Sequence, residues 1–184
     1  MSLTGPWHVA RLCIILAGGS LVGRPAGAQT TRCEPIAQRA GREFGCFIIA
    51  RAELGALPRE SVLYWHIDAF GTRSAGPLPL IEADSFAAVY MEAVFQPGMH
   101  STVHRHPGVE VWHTLQGEQC LETPDGKLMQ RAGDPPVMVG GGVPMILTGT
   151  GRGVRRSLVL ILQDATKPRS MLATDWSPVG LCRP

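Results

Sequence analysis

The chain is poor in charge, has no long run of apolar residues and carries no histidine beyond His113. Asp, Glu, Lys and Arg make up only 17% of its 184 residues, while 22 glycines and 15 prolines punctuate it throughout. That balance implies many turns and few long helices. No internal repeat or low-complexity segment appears, so one domain with one core is expected of a chain that is 45% apolar. The longest apolar stretch, Leu12 to Val22, is too short to span a membrane.

That stretch has another reading. Arg11 precedes it and Ala26-Gly27-Ala28 follows it, the pattern of a secretory signal peptide cut after Ala28. Removing residues 1–28 takes away two arginines and no acid, leaving fifteen basic and fifteen acidic residues. A mature chain of zero formal charge gives no electrostatic footprint for nucleic acid, and none for a membrane once the leader is gone. A periplasmic or secreted location is expected. Cys33, Cys46, Cys120 and Cys182 remain, an even number in an oxidising compartment, which suggests disulfides. Three pairings are open. Cys33 and Cys46 flank a short segment, Cys182 lies near the end, and Cys120 would equally serve as a buried free thiol.

Short β-prone runs recur between Gly and Pro. Strands are expected at Phe44–Leu54, Val62–Phe70, Phe86–Phe95, Thr102–His106, Val109–Gln116, Gln119–Thr123, Lys127–Arg131, Pro136–Val139, Met145–Thr148 and Leu158–Gln163. Pro124-Asp125-Gly126 is a hairpin signal. A short helical turn is expected around Ile36–Arg42, a turn-rich link at Gly71–Pro79, and an irregular tail from Lys167 to Pro184. The pattern is that of an all-β sandwich or barrel.

Chemistry concentrates in one stretch. His104 and His106 are two apart, so a strand would put both on one face. Pro107-Gly108 would then fold the following strand back alongside and bring Glu110 to the same point. Two imidazoles and a carboxylate are a divalent-metal ligand set with room for water or substrate. If Glu110 faces inward, so do Trp112, as an aromatic pocket wall, and Thr114. Val111, His113 and Leu115 then face away.

The spacing Gly98, His104, His106, Glu110, Gly117 resembles the first motif of the cupin superfamily without a gap. The resemblance covers roughly Ala88 to Leu162. It implies a single antiparallel β-barrel of double-stranded β-helix (jelly-roll) type, with residues 86–166 as the barrel. Residues 29–85 would be an N-terminal extension whose strands pack on it, and 167–184 a tail. It also implies that His104, His106 and Glu110 are metal ligands. The second cupin motif matches poorly over Gly133–Met145, and Met145 stands where the usual fourth ligand, a histidine, belongs. Met145 either packs in the interior or acts as a soft fourth ligand, which would suit copper.

His66 and His100 are the remaining histidines that would serve as a fourth ligand. Arg105, Glu118, Glu122, Arg131, Arg155 and Arg156 read as surface or rim charges. Three functions follow. The chain is a metal-dependent enzyme of dioxygenase or isomerase type, using Fe, Mn, Cu or Zn on a small molecule. Or it is a non-catalytic module that binds or senses a small ligand or metal. Or the ligands are relics, which the cost of burying an unpaired carboxylate opposes. A homodimer is expected by analogy alone.

Overall fold

The computed structural model describes residues 33–35, 44–68 and 73–183. The leader and the turn expected at 36–42 lie outside these residues. Thirteen strands follow one another, with no helix among the described residues. They are β1 (Glu34–Pro35), β2 (Gly45–Gly55), β3 (Trp65–His66), β4 (Ser74–Ala75), β5 (Phe86–Phe95), β6 (His104–Arg105) and β7 (Val109–Gln116). Then come β8 (Glu118–Thr123), β9 (Gly126–Arg131), β10 (Val137–Val139), β11 (Ile146–Thr150), β12 (Arg155–Asp164) and β13 (Met171–Leu172).

The main sheet has six strands in the order β1-β2-β5-β12-β7-β10. A second sheet has the order β11-β8-β9, and the pairs β13-β6 and β3-β4 stand apart. Apart from the parallel β1-β2 contact, every pairing is antiparallel. The fold is all-β, with its hydrogen bonds divided among separate sheets. Gly117 is the corner where the chain leaves β7 for β8. Its φ is +72°, and a Cβ there would lie 2.5 Å from the Val154 carbonyl oxygen, so only glycine fits.

Side-chain alternation gives the main sheet two buried faces. Phe86, Ala88, Val109, Val111, Leu160 and Leu162 point to one, where Leu54, Leu63, Trp65, Ile67 and Leu78 cover them. Val89, Met91, Trp112, Val159 and Ile161 point to the other and meet Leu121 and Leu147 of the second sheet. The site lies on this second, inter-sheet face.

Two expectations change here. Of Val62–Phe70 only Trp65–His66 is strand, pairing with Ser74–Ala75; residues 69–70 are outside the described set. Leu63, Trp65 and Ile67 serve as a lid on the outer face, which a strand paired into the main sheet could not do. The tail is also not wholly irregular, since β13 pairs with β6.

Cys120 is not a free thiol. It bridges to Cys182, and Cys33 bridges to Cys46. Loop-closure entropy for separations of 13 and 62 residues corresponds to about 3 and about 4 kcal/mol. Beside the second bridge, Glu122 is 1% exposed, not the rim charge expected. Its carboxylate accepts from the backbone N–H groups of Val179, Gly180, Leu181 and Cys182 at 2.6–3.3 Å. The tail is thus pinned to β8 twice.

Candidate metal centre

The stretch Val137–Met145 positions all three expected ligands, although it holds no histidine. His104 exchanges both backbone hydrogen bonds with Met145, at 3.0 and 2.8 Å. The carbonyl of His106 accepts from Gly142 N–H at 2.8 Å. Val139 pairs with Glu110 across β10 and β7. Pro107-Gly108 turns the chain as expected, but β7 pairs with β10 and β12 rather than with β6. Gly108 is required for another reason. A Cβ there would sit 2.0 Å from the carbonyl oxygen of Leu162 on β12.

His104, His106 and Glu110 are all buried, and one ligand atom from each lies within 4.8 Å of the others. The imidazole rings are 4.9 Å apart and nearly perpendicular. His104 Nδ1 donates to the carbonyl of Thr102 at 2.7 Å, and His106 Nδ1 donates to that of Arg169 at 2.6 Å. With both protons committed to Nδ1, both Nε2 atoms carry free lone pairs. His106 Nε2 and Glu110 Oε2 are buried without a hydrogen-bond partner, 3.6 Å apart. Two ligands each about 2.1 Å from one ion at a tetrahedral angle are about 3.4 Å apart. The donor set therefore fits a divalent cation.

Burial pushes the His106 imidazole down to about 4, and it lowers His104 as well. Both are neutral at physiological pH, as ligation requires. Burial raises the pKa of the Glu110 carboxyl, against the pull of His104, Arg155 and Arg169.

Among the described residues no fourth His, Cys, Asp or Glu joins the group. His66 lies on β3 among the residues covering the outer face, beside Tyr64. His100 is exposed, its Nδ1 donating to the Ser101 carbonyl. Met145 is 1% exposed and belongs to the inter-sheet core. As the direct cross-strand partner of His104, it projects from the same side. Trp112 and Thr114 face inward with Glu110 and are buried. Thr114 Oγ1 donates to Gln130 Oε1 at 2.7 Å and lies 3.1 Å from Ser157 Oγ. His113 faces the other way, is 1% exposed, and holds Arg73 at 2.9 Å.

Two arginines at the site escaped the sequence reading. Arg155, expected at the rim, is 0% exposed. Arg169, from the tail, is 6% exposed and places Nη1 2.8 Å from Met91 Sδ. Burial pushes them down to about 9 and about 10, while Glu110 raises both. Parity along β12 was the available signal for Arg155. Positions 155, 157, 159 and 161 share a face, and Val159 and Ile161 are apolar. Arg169 had none, because its place depends on where the tail returns. Arg105 ion-pairs with Asp175, and Arg156 with Glu92.

No family model and no curated protein matches the chain. Among solved structures it is similar to a cupin-like protein from Thermotoga maritima, at 15% identity and TM-score 0.43 over 47% of this chain and 64% of that one. An uncharacterized conserved protein with a double-stranded β-helix domain from Klebsiella pneumoniae matches at 19% and 0.41, over 47% and 74%. DMSP lyase DddQ from Ruegeria pomeroyi matches at 21% and 0.42, over 50% and 45%. The chain thus spans less than two thirds of the first and third. Its own residues say more: an unbroken first motif, set on antiparallel strands, whose two imidazoles and carboxylate converge. The chain is an all-β protein.

Proposed function

We propose that the protein is an exported metalloprotein in which His104, His106 and Glu110 hold one divalent transition metal and present it to a small molecule. The observation that carries this reading is the buried, unpartnered pair of His106 Nε2 and Glu110 Oε2, with both imidazoles locked in the ligating tautomer. Burial of that carboxylate carries a desolvation cost that His104, Arg155 and Arg169 offset only in part, since its pKa stays raised. When bound, the metal supplies Lewis-acid or redox chemistry at its open positions. The chain's own contribution is to fix the imidazoles through the carbonyls of Thr102 and Arg169 and to keep water out with Trp112 and the inter-sheet core. Two disulfides accord with an oxidising compartment, and no helix among the described residues is long and apolar enough to cross a membrane.

The enzymatic form of this reading is a dioxygenase or isomerase. One observation favours a binding or sensing module instead: among the described residues, the His and carboxyl groups gathered at the site are the ligands themselves, which leaves no separate imidazole or carboxylate in that cluster as a general base. Elemental analysis of the untagged mature protein tests the shared core. One equivalent of metal in the wild type and none in His106→Ala is the expected result; a metal-free wild type that takes up no Mn, Fe, Cu or Zn overturns it. Oxygen uptake over a panel of small phenols, diketones and thiols then separates enzyme from binder.

A further inference from the structure

We infer that Arg73 and His113 form a pH-sensitive latch that holds the β3–β4 hairpin on the outer face of the main sheet and frees it when His113 takes up a proton. The hairpin stands apart from the main sheet's ladders. Trp65 pairs with Ala75 and His66 with Ser74, and Ile67 N–H donates to the Arg73 carbonyl at 2.8 Å. Arg73 N–H donates to Asp68 Oδ2, also at 2.8 Å, which fixes the base of the arginine. Its side chain then crosses to the sheet, where Nη1 donates to His113 Nε2 at 2.9 Å. His113 is 1% exposed. It shares its side of β7 with Val109 and Val111, the side that Leu63, Trp65 and Ile67 cover. The latch therefore faces away from Glu110 and does not rest on the metal centre.

A guanidinium donates and never accepts, and it keeps its charge at any physiological pH. The bond therefore needs a lone pair on Nε2, which only the neutral imidazole has. A proton there removes the acceptor and sets two cations face to face. On β12 the direct neighbour of His113 is Leu158, while Arg156, on the same face, is paired with Glu92. On β10, Val137 and Met138 pair with Trp112 and Val111, and neither titrates. On β5, Tyr90 packs edge-on against Trp65 and keeps its proton, its pKa pushed up to about 12 by burial and by Glu92. On the hairpin, Asp68 accepts from Arg73 N–H, and His66, next to Trp65, alternates to the opposite side. Of the charges around the ring, the one whose field bears on it is Arg73, and burial and Arg73 together hold the imidazole below its ordinary value. Nδ1 is buried without a partner, so the imidazolium's second proton finds no acceptor there. With the hairpin open His113 would titrate near 6.5, and with it closed the ring refuses the proton. Closure is therefore favoured above that value and loses ground as pH falls through the window beneath it.

Amide hydrogen exchange of the full protein, read by NMR at pH 7.5 and 5.0 and corrected for the intrinsic pH dependence of exchange, tests the latch. The reporters are the Ile67 and Arg73 amides, with those of β5 as the internal reference for global stability. In the wild type the reporters should lose at least tenfold protection relative to β5 at pH 5.0. His113→Gln, whose amide oxygen accepts at either pH, should hold the hairpin equally at both. Arg73→Met should lower protection at pH 7.5 at least threefold and shrink the pH response by at least half. Arg73 is exposed, so this variant keeps the test open should His113→Gln fail to fold. Equal wild-type protection at the two pH values overturns the inference. A full wild-type response in Arg73→Met does so as well, since it would leave burial of the ring as the whole cause. So does a full response in His113→Gln, which would place the titrating group elsewhere.

Discussion

At His106 the backbone carbonyl of Arg169 selects the tautomer, and burial keeps the ring neutral down to about pH 4. The unfolded chain therefore takes up protons that the folded one refuses between the ordinary imidazole value near 6.5 and about 4. Stability of the metal-free protein falls as pH drops through that window, by about 3 kcal/mol for His106 alone. Glu110 works in the opposite sense. Its pKa is raised, so its contribution is lost as pH climbs from the ordinary 4.5 through the folded value. Glu110→Gln removes that counterweight. Denaturant midpoints of the metal-free variant should fall more steeply than the wild type's from pH 6.5 to 4; parallel slopes would show that Glu110 is no counterweight to the imidazoles. A second residue-scale test concerns Met145, on the same side of its strand pair as His104. Met145→His should tighten Zn2+ binding by about tenfold or more, read by dye competition, because a fourth nitrogen closes a tetrahedral set. An unchanged Kd would give Met145 a packing role alone.

Among the elements, β5 and β7 match the sequence expectation end to end, at Phe86–Phe95 and Val109–Gln116. Both have turn residues at their ends and long ladders, broken in β7 only by a bulge at Leu115. The hairpin about Pro124-Asp125 was equally legible, from turn chemistry. The weak second motif was read for its missing histidine, and its structural part stayed hidden. Backbone bonds from Gly142 and Met145 and the β10 pairing carry no side-chain signature, yet they set the positions of His106, His104 and Glu110. Glu122 and Arg155 were misjudged because a charged residue looks solvated until its distant surroundings are known. Gly108→Ala tests the element scale. The clash with Leu162 should push β7 from β12 and destabilise the protein by about 1–3 kcal/mol or more. It should also weaken metal binding through Glu110, two residues on. A variant as stable as the wild type would show that the strands can part without cost.

For the whole molecule, burial on both faces of the main sheet makes β5, β7 and β12 the rigid centre, and the two disulfides tie peripheral segments to it. Cys182→Ser should cost up to about 4 kcal/mol, seen as a lower denaturant midpoint. Glu122 should retain part of the tail's order, so Glu122→Gln combined with Cys182→Ser should lose more than the two single variants together. Strict additivity would mean that the bridge and the carboxylate act on the tail independently.

The tail's attachment reaches further than its own stability. Between β12 and the Cys182 bridge runs the segment that supplies both the Arg169 carbonyl behind His106 and β13 beside β6. A thiol-rich surrounding that opened this bridge would slacken the backstop of one ligand without touching any ligand. If the proposed centre holds an ion, opening the bridge should weaken that hold, read as a higher Kd for the metal in the presence of a thiol reductant.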